Sequence, residues 1–228
     1  MSESNKTLDF PTILASSAHD MKNSLCLFVQ AIESLAERMQ GQPESEELAR
    51  LHYEAQRING SLVQLLALYR HEHEPLSFDA EQIFIEELLE EVLLNHELYA
   101  EHRQIETELR IDSELQWYVD RDLLSNLLND IVANALRYSA DKLLITASCE
   151  NQQLHICIND DGEGYPAEML KASTQPLQQY DFSASRTGLG LFFAQLIAQT
   201  HKNQNGCGHI TLANGGELGG GLFRLVLP

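Results

Sequence analysis

Apolar residues recur along the first third of the chain at alternating steps of four and three. Leu14, Ala18, Met21, Leu25, Phe28, Ile32, Leu35 and Met39 form one series. It is a heptad seam held over more than three repeats, and it predicts a long amphipathic helix. Pro11 stands where a first-turn proline is tolerated. GQPES at 41–45 breaks the series with Gly41 and Pro43. A second seam follows through Leu48, Leu51, Ala55, Ile58, Leu62 and Leu65. Two such helices joined by a short turn predict an antiparallel hairpin. A lone hairpin leaves much of its seam in water, and a second copy closes a four-helix bundle over it. A homodimer through residues 10–72 is therefore expected. The competing arrangement packs the hairpin on its own C-terminal domain.

The pattern changes after HEHEPLSF. Pro75 ends the helix and 71–79 reads as a hinge, which places one domain at 1–76 and another at 77–228. The second part mixes periods. Residues 80–101 read as helix, IETELRI (105–111) and LQWYV (115–119) as strands, and 121–139 as an amphipathic helix. KLLITASCE and QLHICIND read as a hairpin turning at 151–152. A loop of about twenty residues follows, a length that usually signals function. A helix over 188–201 and the strands HITLAN and LFRLVLP close the chain. Strands and helices interleave without a regular βαβ repeat, so the fold class is α+β: a helical hairpin followed by an α/β sandwich.

Charge and composition narrow the partners. The formal net charge is -19 over 228 residues. Such a surface repels phosphate backbones and anionic lipid, which argues against nucleic-acid and membrane partners. No run approaches the roughly 20 apolar residues of a membrane span. MSESNKTLDF lacks a signal-peptide core, so a cytoplasmic protein is expected. The four cysteines, Cys26, Cys149, Cys157 and Cys207, have no CxxC or Cys/His ligand spacing and read as reduced, mostly buried thiols. HEH at 71–73 reads as a polar helix end rather than a metal site.

Three stretches carry chemistry. NDDGEGYP (159–166) follows an apolar strand. Asp160 stands at the strand end, where a carboxylate can accept a hydrogen bond from an exocyclic amine, and Gly162 and Gly164 permit close backbone approach. RTGLGLFFAQLIAQTH (186–201) opens a helix on Gly188 and Gly190, where free N–H groups favour a phosphate. NDIVANALRYS (129–139) sets Asp130 and Asn134 on one helix face, a pair of hard oxygen ligands that suits Mg²⁺. Arg137 and Tyr138 lie one turn on, within reach of phosphate or ribose. Each stretch taken singly is equally compatible with an ordinary turn, helix start or solvated helix face.

Their order and spacing resemble those of the sensor histidine kinases, whose ATP-binding domain is shared with gyrase, Hsp90 and MutL. Asn134 matches the second asparagine of the N box. DDGEG matches the G1 box, with Asp160 as the adenine-recognising aspartate. Thr187, Gly188, Leu189, Gly190 and the leucine after them match the G2 box, and GGGLFRLVLP matches the closing strand. The likeness extends to the first helix, where HDMKN at 19–23 looks like the H box. It implies that ATP and Mg²⁺ are the cofactors and that the imidazole of His19 attacks the γ-phosphate. Asp20 orients the ring and takes its proton. Asn23, on the same helix face as His19, resembles the amide that positions water when such proteins dephosphorylate a regulator. The implied partner is a response-regulator receiver domain, which accepts the phosphoryl group on an aspartate. No sensor domain is visible, so a separate sensor protein, or the hairpin itself, receives the signal.

Three departures set a second reading beside the first. Asp130 replaces the first asparagine of the N box, where hydrolysing relatives carry a general base. Arg186 replaces the first glycine of the G2 box. The lid at 166–186 is short and glutamine-rich, with only Lys171 and Arg186 as cations. The second reading is a kinase-like protein that uses ATP weakly and serves as phosphotransferase, regulator phosphatase or kinase-inhibiting partner.

Overall fold

The computed structural model describes residues 10–39, 45–73, 78–173, 188–204 and 206–228. Two compact units divide the chain, residues 1–74 and 75–228. The first is a pair of packed helices, α1 (Phe10–Arg38) and α2 (Ser45–His73). The seam residues separate by face. Ile32, Leu48 and Ala55 are buried between the helices together with Ala36, Ala49 and Tyr53. Met21, Phe28 and Leu35, each seven residues apart, remain exposed, as do Leu51 and Ile58. One heptad position thus closes the hairpin and the other forms an apolar stripe on its outside. His52 is buried in the hairpin, its Nε2 2.8 Å from Glu33 Oε1.

The second unit runs β1 (Glu81–Phe84), α3 (Ile85–Asn95), α4 (Glu97–Arg103), β2 (Glu106–Ile111), β3 (Gln116–Val119), α5 (Arg121–Tyr138), β4 (Lys142–Glu150) and β5 (Gln153–Asp160). It continues with α6 (Ala167–Ser173), α7 (Gly188–Thr200), β6 (Lys202–Asn203), β7 (Gly206–Cys207), β8 (His209–Asn214) and β9 (Gly221–Leu227). Five strands form the main sheet in the order β2-β4-β5-β9-β8, with β2 parallel to β4 and every other pair antiparallel. Residues paired across strands share a face. Leu143, Ile145, Ile156, Ile158, Phe223 and Leu225 line one face of the sheet, and the buried sides of α3, α5 and α7 cover it. Burying one such side chain contributes roughly 1.5–3 kcal/mol. On the opposite face the cross-strand row Thr146, Cys157, Arg224 and Thr211 stays accessible, while Leu144, Asn159 and Val226 are buried. One partly wet face is what antiparallel alternation permits. The four cysteines correct the expectation of buried thiols: Cys26 and Cys157 are half-buried, and Cys149 and Cys207 are exposed.

The region read as one helix, 80–101, is three elements. EQIF pairs antiparallel with QWYV to make the β1–β3 ribbon, and Ile85 N–H donates to Leu115 O before α3 begins. Partner pairing in space overrides the helical period there. The chain then breaks at His96 between α3 and α4. Part of the long loop forms α6, and its remainder, 174–187, lies outside the described residues.

Asp120 ties four segments together. Its Oδ1 caps α5 by accepting from Leu123 N, and its Oδ2 accepts from Asp79 N. Its own N–H donates to His201 Nε2 at 3.1 Å, while His201 Nδ1 lies 2.9 Å from Ile197 O. A carbonyl only accepts and an amide N–H only donates, so the ring must be neutral with its proton on Nδ1. Trp117 on β3 donates its indole N–H to Pro228 O at 3.2 Å.

Candidate nucleotide site

The site begins with a misplaced charge. The inward alternation Leu154, Ile156, Ile158 along β5 ends on Asp160, a carboxylate 5% exposed. Burial of a carboxylate is costly unless hydrogen bonds compensate it. Here the N–H groups of Gly162 and Gly221 donate to Oδ1 at 2.9 and 3.0 Å. Oδ2 accepts no hydrogen bond from the described residues. The side chain is therefore anchored by one oxygen and presents the other.

Glycine makes the approach possible. A Cβ on Gly220 would lie 2.6 Å from both Asp160 O and Oδ1, and one on Gly221 would lie 2.6 Å from Oδ2. A Cβ on Gly162 would lie 2.1 Å from Tyr138 O, so the turn after β5 presses against the C-terminal end of α5. Gly164 holds φ +82 beside Asn214, whose amide accepts from Tyr165 N at 2.7 Å and donates to Tyr165 O at 2.9 Å. Burial, and then the charge of Asp160, push the Tyr165 phenol well above its usual pKa, so it stays protonated. The Asp161 carboxylate turns the other way and accepts from Ala140 N and Asp141 N. Burial raises its pKa, yet the N–H donors of Lys142, Asp141 and Ala140 outweigh that and hold it below the usual carboxylate range.

On α5, Leu124, Leu128, Val132 and Leu136 face the core, while Asp130 is half-buried and Asn134, Arg137 and Tyr138 are exposed. The Arg137 guanidinium sits 5.6 Å from the centre of the Tyr138 ring. The structure thus brings the end of the NDIVANALRYS helix and the DDGEG turn together at Tyr138 and Gly162. α7 packs against α5 and opens at Gly188, with Gly190 half-buried in its first turn. Arg186 and Thr187, and the Leu189 side chain, lie outside the described residues. In the helical unit, α1 carries His19, Asp20 and Asn23. Asp20 and Asn23 are exposed, and the His19 side chain lies outside the described residues. Sequence reasoning missed Gly220, Gly221, Tyr165 and Asn214. The triple glycine before β9 was a usable signal for the first two. The Tyr165–Asn214 pair spans 49 residues and leaves no local trace.

A buried, half-anchored aspartate, a glycine-lined wall and a helix N-terminus on a five-stranded two-layer sandwich define a class of ATPase domain. Residues 119–228 match the family model described as histidine kinase-, DNA gyrase B-, and HSP90-like ATPase. Residues 119–228 thus carry this ATPase domain, and the chain is similar over most of its length to proteins named as sensor kinases. It is 28% identical to the adaptive-response sensory kinase SasA of Synechococcus elongatus over all of this chain and 61% of that protein. It is 26% identical to the sensor protein SrrB of Staphylococcus aureus over 82% of this chain and 34% of that one. The chain therefore spans about three fifths and one third of these two relatives. The solved histidine kinase AdeS of Acinetobacter baumannii shares the fold at TM-score 0.60 and 23% identity, over 92% of this chain and 96% of that one. Among the described residues no helix is long and apolar enough to cross a membrane.

Proposed function

We propose that the chain is an ATP-dependent protein-histidine kinase of two-component signalling, cytoplasmic and homodimeric through residues 10–72. Asp160 carries the reading: it is a buried carboxylate with one oxygen open beside a glycine wall, in a chain whose first helix holds HDMKN. Asp160 Oδ2 accepts the exocyclic amine of adenine, and Gly162, Gly164, Gly220 and Gly221 let the backbone close on the base. Arg137, Tyr138 and the α7 start contact ribose and phosphates, and the sequence motif assigns Arg186 and Thr187 to the same task. Asn134 and Asp130, hard oxygen donors one turn apart on α5, would hold Mg²⁺, which would neutralise phosphate charge when bound. Bound Mg·ATP supplies an electrophilic γ-phosphoryl group.

An imidazole is largely neutral near pH 7 and so nucleophilic. A ring nitrogen of His19 attacks the γ-phosphorus, the bond to the β,γ-bridging oxygen breaks, and Asp20 accepts the ring proton. The phosphoryl group passes to an aspartate of a response-regulator receiver domain, and Asn23 positions water when the regulator is dephosphorylated.

Incubation with γ-labelled ATP tests this. Wild type is expected to take up an acid-labile label, His19→Ala none, and Asn134→Ala at least about a hundredfold less. An unlabelled wild type, or label retained by His19→Ala, sinks the proposal. Arg186 and the glutamine-rich lid favour the weaker-binding phosphotransferase or phosphatase as second reading. Calorimetric Mg·ATP affinity in the millimolar range selects it.

A further inference from the structure

Away from the nucleotide site, α3, α4 and β2 enclose a groove of about 920 Å³. Its floor is apolar, lined by Leu93, Ala100, Ile105, Leu109 and Leu136. Leu94 stands among the lining residues with 66% of its surface exposed. Beside the floor runs β2, the end strand of the sheet. Apart from Gln104, Thr107 and the buried His96, the rest of the lining is acidic. Glu91 and Glu106 belong to it, but Arg121 and Lys142 hold them at 2.6 and 2.9 Å. Glu87, Glu90, Glu97 and Glu101 form no ion pair with the described residues, and no lysine or arginine lines the groove.

Each half of this surface selects a ligand. An exposed leucine over an apolar trough gains roughly 25 cal/mol for each Å² covered. Carboxylates spread along a low-dielectric groove focus a negative potential that favours cations. A small anion is repelled, and a small neutral molecule leaves the acids unanswered. A second copy docked face to face here sets these carboxylates against their own equivalents. A chain segment with apolar residues on one side and lysine or arginine on the other answers both halves at once.

We propose that this groove docks a short basic amphipathic segment of a partner protein. Its apolar side chains lie on the floor around Leu94, and its cations meet Glu87, Glu90, Glu97 and Glu101. The proposal does not depend on the kinase reading, because it requires neither nucleotide nor His19.

Fluorescence anisotropy on the full chain tests it with two labelled leucine–lysine peptides of one composition. In the first the leucines follow helical i, i+3, i+4, i+7 spacing, and in the second they are scattered. The first is expected to bind about tenfold tighter than the second. Leu94→Asn, and the triple Glu87→Gln/Glu97→Gln/Glu101→Gln, should each weaken it about tenfold. All four positions are exposed or nearly so, and circular dichroism checks that the fold is kept. A control triple on other exposed acids, Glu81→Gln/Glu114→Gln/Glu150→Gln, should change affinity by less than about twofold. Equal binding of the two peptides, equal loss in the control triple, or no binding overturns the proposal. A Leu94→Asn chain that sediments at half the wild-type mass assigns the groove to a second copy and overturns it too.

Discussion

At the residue scale the site turns on atoms that are absent. Gly221 leaves room for Asp160 Oδ2, and a methyl group there would lie 2.6 Å from it. Gly221→Ala is expected to lower stability by about 1–3 kcal/mol, the usual cost of overpacking. It should also raise the Mg·ATP Kd at least about tenfold as the carboxylate is pushed aside. Calorimetry and a thermal melt read the two effects separately. His201 is the second sensitive residue. Burial pushes its pKa below the usual imidazole value, against the upward pull of the Ile197 carbonyl and the Asp120 carboxylate. The unfolded chain therefore binds the proton more readily, and stability must fall as pH falls from the unfolded value of 6.5 toward the lower folded one. The melting temperature should drop between pH 7.5 and 5.5, and His201→Gln should flatten that slope. Asp161 acts in a separate window, below its ordinary value of 3.8, where its contribution is lost as acid protonates it. Asp160 was legible from sequence because a charge interrupts an apolar strand just before two glycines. His201 was not, since Asp120, whose N–H it accepts, lies 81 residues away and a histidine after a helix has many uses.

Among the elements, periodicity gave most of the answer where one face is buried. The heptads over 14–65 predict α1 and α2, and alternation predicts β4 and β5 with their turn, where Asn151 and Gln152 both take positive φ. Periodicity failed over 80–101, because β1 exists only through its pairing with β3 thirty-five residues on. The helical seam also holds a division that the sequence pattern does not show. Ile32, Leu48 and Ala55 close the hairpin, while Met21, Phe28, Leu35, Leu51 and Ile58 face outward. Five large apolar residues left exposed on two packed helices are surface that a stable protein covers. Phe28→Asp with Ile58→Asp is expected to convert a sedimenting dimer to monomer while leaving the Mg·ATP affinity of the second unit unchanged. A double variant that still sediments as wild type removes the dimer from the proposal.

On the scale of the whole molecule, the strongly acidic balance sets which surfaces can meet a partner, and the order of the three motifs sets the chemistry. That order was readable because the G1 and G2 glycines and the N-box amide are local signals at fixed positions along the chain. The wall of Gly220 and Gly221 was harder to read, since it faces Asp160 only after β9 has been laid beside β5. The same closing strand has a spectroscopic consequence. Trp117 is the single tryptophan of the chain, half-buried on β3 with its indole N–H on Pro228 O. Emission excited at the indole band therefore comes wholly from the second unit and registers whether the chain's last residue is seated. The helical pair is dark in that channel and bright in far-ultraviolet dichroism. One sample, observed in both, separates a transition of the helical pair, seen in dichroism alone, from one of the second unit, seen in both.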